Sequence, residues 1–222
     1  MIEGEYSLAL SLGVDCRVRY QLSRHRYSRA HPGKMAAPKE LYSTAKEGTF
    51  FFDWLVSPAG SVAEVLRNRF EGVFERENLS INKKGSVVDD RYRLVFQHAF
   101  PRVNDVVTEE IVATEYEQQR AKTRYLADKT LEAMQCGGLL YVIAGATPEQ
   151  LAALADVITE IGGPDFHIVN VRAADERRGF IDRGEKVSTY VIDKKIDKPD
   201  GARWEGDDRE WGSLLEQLPV RW

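Results

Sequence analysis

The chain has 222 residues, 43% of them hydrophobic and 30% charged, a balance that supports one folded domain with a sizeable core and excludes a mostly disordered chain. Its formal net charge of −4 argues against nucleic acid as the main partner, because counterion release needs many clustered cations. No run approaches the roughly 20 apolar residues that span a bilayer, and Glu3 and Glu5 stand where a secretory signal is basic and then apolar. The expectation is a cytoplasmic protein without a membrane span, and the two cysteines, Cys16 and Cys136, fit a reducing compartment.

In chain order, Tyr6 to Leu12 reads as a short buried strand, and Gly13 permits a sharp turn into a helical pattern carrying Val18, Tyr20 and Leu22. Cys16 falls in the first turn of that helix. From His25 to Gly48 the chain turns polar, with Pro32, Gly33 and Pro38 as breakers, which predicts a long surface excursion at about 25–48. Phe50 to Leu55 is an apolar cluster interrupted by Asp53. Ser61 and Glu64 have capping-box spacing and predict a helix to about Arg69 with Val62, Val65 and Leu66 inward.

Alternation between Leu79 and Phe100 predicts two or three short strands, with His98 at the end of the last. Glu109 to Met134 lacks Gly and Pro and is the strongest helix, closed by Gly137 and Gly138. Leu139 to Ala144, a helix capped by Thr147 with Pro148 at its first position, and His167 to Val171 form a βαβ crossover. A strand at Val187 to Ile192 and a helix at Asp208 to Leu218, capped by Asp207 or Asp208 with Trp211 and Leu214 inward, complete the pattern. The sum is a single α/β domain over 1–222, a three-layer sandwich around a mostly parallel or mixed sheet.

A thiol becomes a nucleophile as the thiolate, which a helix N-terminus favours. Cys16 has that setting, at the carboxyl edge of a strand where α/β folds place ligands, with Arg17 and Arg19 adding positive potential and Asp15 capping the helix or opposing the thiolate. The other reading is a small apolar filler. Cys136, near a helix end, reads as structural. A base is needed, and His98 at a strand end is the natural choice, since His25 and His31 fall in the excursion and His167 in a buried strand. Asp53, an acid among Phe50, Phe51, Phe52 and Trp54, must have a partner. It is the third catalytic candidate, or a structural acid paired with a backbone donor or an arginine. Asp89 and Asp90 read as solvated loop acids. Gly13, Asp15, Arg17 and Trp54 are the candidate substrate-binding residues.

The segments LSLGVDCRVRYQL, FFFDWLVSP, FQHAFP and WEGDDREW, in that order, resemble a bacterial family of papain-like cysteine peptidases, a domain of unknown function often found near surface-glycan genes. The resemblance implies a nucleophile at Cys16 and a histidine at His98. The chain departs from it at Asp15, where members often carry Asn or a small polar residue, and at Ala99, where an acid commonly follows the histidine.

The expected function is therefore a cysteine-dependent hydrolase or acyl transferase, on peptide, amide, thioester or ester bonds, with Cys16 attacking and His98 moving the proton. The alternative is a non-catalytic binding module for an anionic glycan or a partner enzyme. It draws on the stretch from Arg17 to Lys39, which holds seven Lys or Arg and no Asp or Glu. An esterase-like doubly wound fold with Cys16 in the place of a serine is a third variant. No Cys and His spacing predicts a metal site, and no glycine-rich phosphate motif predicts a nucleotide or other cofactor.

Overall fold

The computed structural model describes residues 2, 4–34, 41, 48–163, 165–175, 178–193 and 204–222. The strands are β1 Leu8–Ser11, β2 Leu79–Ile81, β3 Val87–Asp89, β4 Leu94–Phe96, β5 Leu139–Ala144, β6 Phe166–Ala174, β7 Gly179–Arg183 and β8 Val187–Asp193. The helices are α1 Cys16–Ala30, α2 Ala59–Arg67, α3 Glu109–Cys136, α4 Pro148–Ile161 and α5 Asp208–Leu215.

The main sheet has the order β1-β5-β6-β8-β7, parallel from β1 to β8 and closed by the antiparallel β7. Strand residues alternate between its faces. Ala9, Leu140, Val142 and Val169 pack with Val18 and Leu22 of α1 and Trp211 and Leu214 of α5. Leu10, Tyr141, Ile143 and Ile168 share the opposite cluster with Leu151, Leu154 and Val157 of α4 and with α2, α3 and the small antiparallel sheet β2-β3-β4. The α/β class and mixed sheet are as the sequence predicts. None of the described helices is long and apolar enough to cross a membrane.

The βαβ unit matches its local signals. Thr147 caps α4, with Gln150 completing a capping box and Pro148 at the first position, an arrangement worth about 1 kcal/mol. Asp207 caps α5 by accepting from Arg209 and Glu210 N–H groups.

Several expectations are corrected. α1 continues through His25 to Ala30, because no breaker precedes Pro32 and the inner positions Leu22 and His25 are buried. The excursion assigned to about 25–48 therefore begins later, and 35–40 and 42–47 lie outside the described residues. Ser61 is no cap. α2 starts behind Pro58, whose φ of −51° suits a helix entry, so Ser61 sits inside the helix and is fully buried. Asp89 is buried rather than solvated and accepts from the Phe74 and Tyr92 N–H groups. Trp204, just before α5, is 44% exposed and edge-on to Tyr20. β7 had no sequence expectation, since its pattern Gly-Phe-Ile-Asp-Arg shows neither alternation nor a turn signal.

Candidate functional site

α1 leaves β1 toward one face of the sheet, and α4 leaves the neighbouring β5 toward the other. Adjacent parallel strands whose connections diverge in this way open a crevice at their carboxyl ends, where α/β folds hold ligands. Gly13 and Val14 form the turn there, with φ of 78° and 76°. Glycine adopts that region freely, but a β-branched valine is strained in it. Ser57 holds the strain in place, accepting the Val14 N–H through its carbonyl at 3.1 Å and its hydroxyl at 3.3 Å. Its side chain also fills the space that a Cβ on Gly13 would need.

Asp15 caps α1 by accepting the Arg17 N–H at 2.9 Å, and Cys16 is the first helical residue. The sequence expectation of a stabilised thiolate is corrected here. Cys16 is only 5% exposed. Burial, and then the Asp15 charge, push its thiol up to about 12, and the helix N–H group opposes this only weakly. The arginines expected to help are engaged elsewhere: Arg17 donates from Nε to the Trp204 carbonyl at 2.9 Å, and Arg19 faces Asp53.

Asp53 is fully buried. It accepts the Phe50 N–H at 2.7 Å and lies 3.4 Å from Arg19 Nε. Burial raises its pKa to about 6, against the pull of Arg19, the Phe50 N–H, Lys129 and Arg26. Of the two roles the sequence left open, the contacts are those of the structural one: Asp53 locks the 50–53 turn and touches no histidine.

His98 follows β4 and is exposed as a residue. Desolvation around its ring, and then the Arg102 charge, lower the imidazole pKa, so the ring is neutral near pH 7. Trp54 stands edge-on to it, with ring centroids 6.2 Å apart. Among the described residues Cys16, His98 and Asp53 share no hydrogen bond with one another. One segment still joins their surroundings: Trp54 stands by His98, Val56 pairs with Val95 beside β4, and Ser57 holds Val14.

His98 and Trp54 line a cavity of about 240 Å³ between the 49–55 segment, the end of β4 and α3. Phe50, Phe51, Leu55 and Leu126 make its apolar wall, and Gln119, Lys122 and Thr123 complete it from α3. The sequence reading assigned no role to these three. Their spacing with Leu126, at i, i+3, i+4 and i+7, was the available signal of a common face. Gly13, Asp15, Arg17 and Cys16 gather at the β1 edge, whereas Trp54 and His98 belong to the cavity.

Against known proteins, no family model matches the chain, and no significant match appears among curated proteins or solved structures.

Proposed function

We propose that this α/β domain binds a small organic molecule, one apolar ring with a negatively charged end, in the cavity beside His98. The observation that carries the reading is chemical. His98, Gln119, Lys122 and Thr123 line an apolar cavity, and among the described residues none of their side chains has a hydrogen bond or an ion pair. Mostly apolar walls with a few convergent polar groups are the usual composition of a ligand site. The volume of about 240 Å³ exceeds the ~150 Å³ that accepts benzene in an engineered cavity of another protein, leaving room for a polar substituent. Lys122 supplies the cationic end, and a neutral His98 offers one donor and one acceptor.

The test is a titration with benzoate, phenol and toluene followed by two-dimensional NMR. Saturable shifts confined to residues 49–55, 96–99 and 119–126, and lost in Leu126→Trp, which fills the cavity, are expected. If none of the three probes shifts these residues, or Leu126→Trp leaves the shifts unchanged, the site is elsewhere.

A second reading keeps cysteine-dependent acyl transfer, with Cys16 as nucleophile and His98 as proton carrier. It is favoured by the strained Val14, two residues before the thiol at the carboxyl edge of β1, because held strain gathers at functional turns. It requires an opening that exposes the thiol and lowers its pKa.

A further inference from the structure

Arg19 and Arg26 lie two helical turns apart on the inner side of α1, so their side chains point the same way. They converge at Gly48, where an added Cβ would stand 3.3 Å from Arg26 Nη1 and 3.7 Å from Arg19 Nη2. Asp53 is the acid beside Arg19: its Oδ2 accepts the Phe50 N–H and faces Arg19 Nε, while its buried Oδ1 has no hydrogen-bond partner. The Arg19 side chain is 6% exposed, and its Nε has no hydrogen-bond partner. Arg26 has neither hydrogen bond nor ion pair among the described residues. One buried and one half-buried guanidinium group set close together, with one acid beside them, leave a positive charge that no further acid offsets among the described residues, a setting that favours an anion.

The space for one is present. A cavity of about 180 Å³ is lined by both arginines, by Ser23, Tyr27 and His31 of the same helix and its end, and by Trp222 across from them. The Ser23 hydroxyl is buried and also lacks a partner. Burial and the neighbouring Arg19 charge lower the Arg26 pKa, as expected of a cation set beside another.

We infer that this cavity is a second binding site, for a phosphoryl group carried on a small organic molecule. Paired arginine forks match a doubly charged, tetrahedral oxyanion, the Ser23 hydroxyl donates to a further oxygen, and the apolar wall of Leu22, Ala30 and Trp222 receives the organic part. This site is independent of the His98 cavity, from which the Asp53 turn separates it.

The experiment is isothermal titration calorimetry at constant ionic strength with inorganic phosphate, phenyl phosphate and benzoate. Phenyl phosphate is expected to bind saturably and more tightly than inorganic phosphate. Arg26→Gln should weaken both by at least about tenfold, the size of a lost charge-assisted hydrogen bond, with Arg26→Lys intermediate. Ser23→Ala, which leaves the charges and the fold in place, should weaken both by a smaller factor. The inference is overturned if neither phosphate saturates, if Arg26→Gln and Ser23→Ala bind as the unaltered chain does, or if benzoate competes equally with phenyl phosphate for this site. Shifts at residues 119–126 with benzoate report the other cavity, so failure of one site does not mask the other.

Discussion

The buried carboxylate of Asp53 faces Arg19 Nε at 3.4 Å and accepts the Phe50 N–H at 2.7 Å. It thereby ties α1 to the turn that walls the His98 cavity. Because Phe50 lines one cavity and Arg19 the other, this acid stands between both candidate sites.

Its titration gives the first prediction. The Asp53 pKa is raised from 3.8 to about 6 in the folded chain, so the folded state holds the proton more tightly than the unfolded state. The stability this provides is complete below about pH 4, is lost as pH rises through 6, and then levels off. Relative to Asp53→Asn, the unaltered chain should lose on the order of 3 kcal/mol between pH 4 and pH 7. Urea unfolding of both proteins across that range measures the difference, and parallel profiles would show that the carboxyl does not titrate there.

Thiol labelling gives the second. Cys136 is exposed, whereas Cys16 is buried with its pKa pushed up to about 12. Iodoacetamide at pH 8 should modify Cys136 faster than Cys16 by at least about a hundredfold, since the thiolate reacts and access limits it. Mass spectrometry of quenched samples reads both rates. Faster labelling of Cys16 would instead place the acyl-transfer reading first.

The ligand cavity gives the third. Lys122→Ala should weaken benzoate about two- to fivefold, the scale of an exposed charge pair, and leave toluene unaffected. His98 titrates below its ordinary value of 6.5, so benzoate affinity should rise as pH falls below that value and the ring gains charge. His98→Ala should flatten the rise. Equal effects on benzoate and toluene would remove the proposed orientation.

The β1 turn gives the fourth. Gly13 has φ 78°, and a Cβ there would collide with the Ser57 hydroxyl. Gly13→Ala should cost roughly 2–4 kcal/mol, combining backbone strain and overpacking. Adding Ser57→Ala should recover part of the loss while the strained φ remains. A thermal unfolding cycle over the four proteins separates the two contributions, and additive losses would show that Ser57 is not the obstacle.

The legible parts of the chain were those set by neighbours in sequence. Thr147, Pro148 and Gly162 bound α4 through their own backbone preferences, and the uninterrupted run behind Thr108 forms α3 as expected. Asp53 could be marked as an acid requiring a partner, because its aromatic neighbours alone imply burial. The cationic stretch of α1 was visible, but its division into paired and unpaired arginines was not, since Asp53 lies 34 positions beyond Arg19.

Sequence by itself determined the α/β alternation, the caps at Asp15, Thr147 and Asp207, and the placement of Cys16 at a helix start, all consequences of local conformational preference. Tertiary structure decided the electrical character of that cysteine, because packing on the sheet removes it from water and burial outweighs the helix N-terminus. It also decided which polar face of α3 meets His98 and where Arg19 and Arg26 converge. Desolvation depends on everything that surrounds a group, and those surroundings come from segments far apart along the chain.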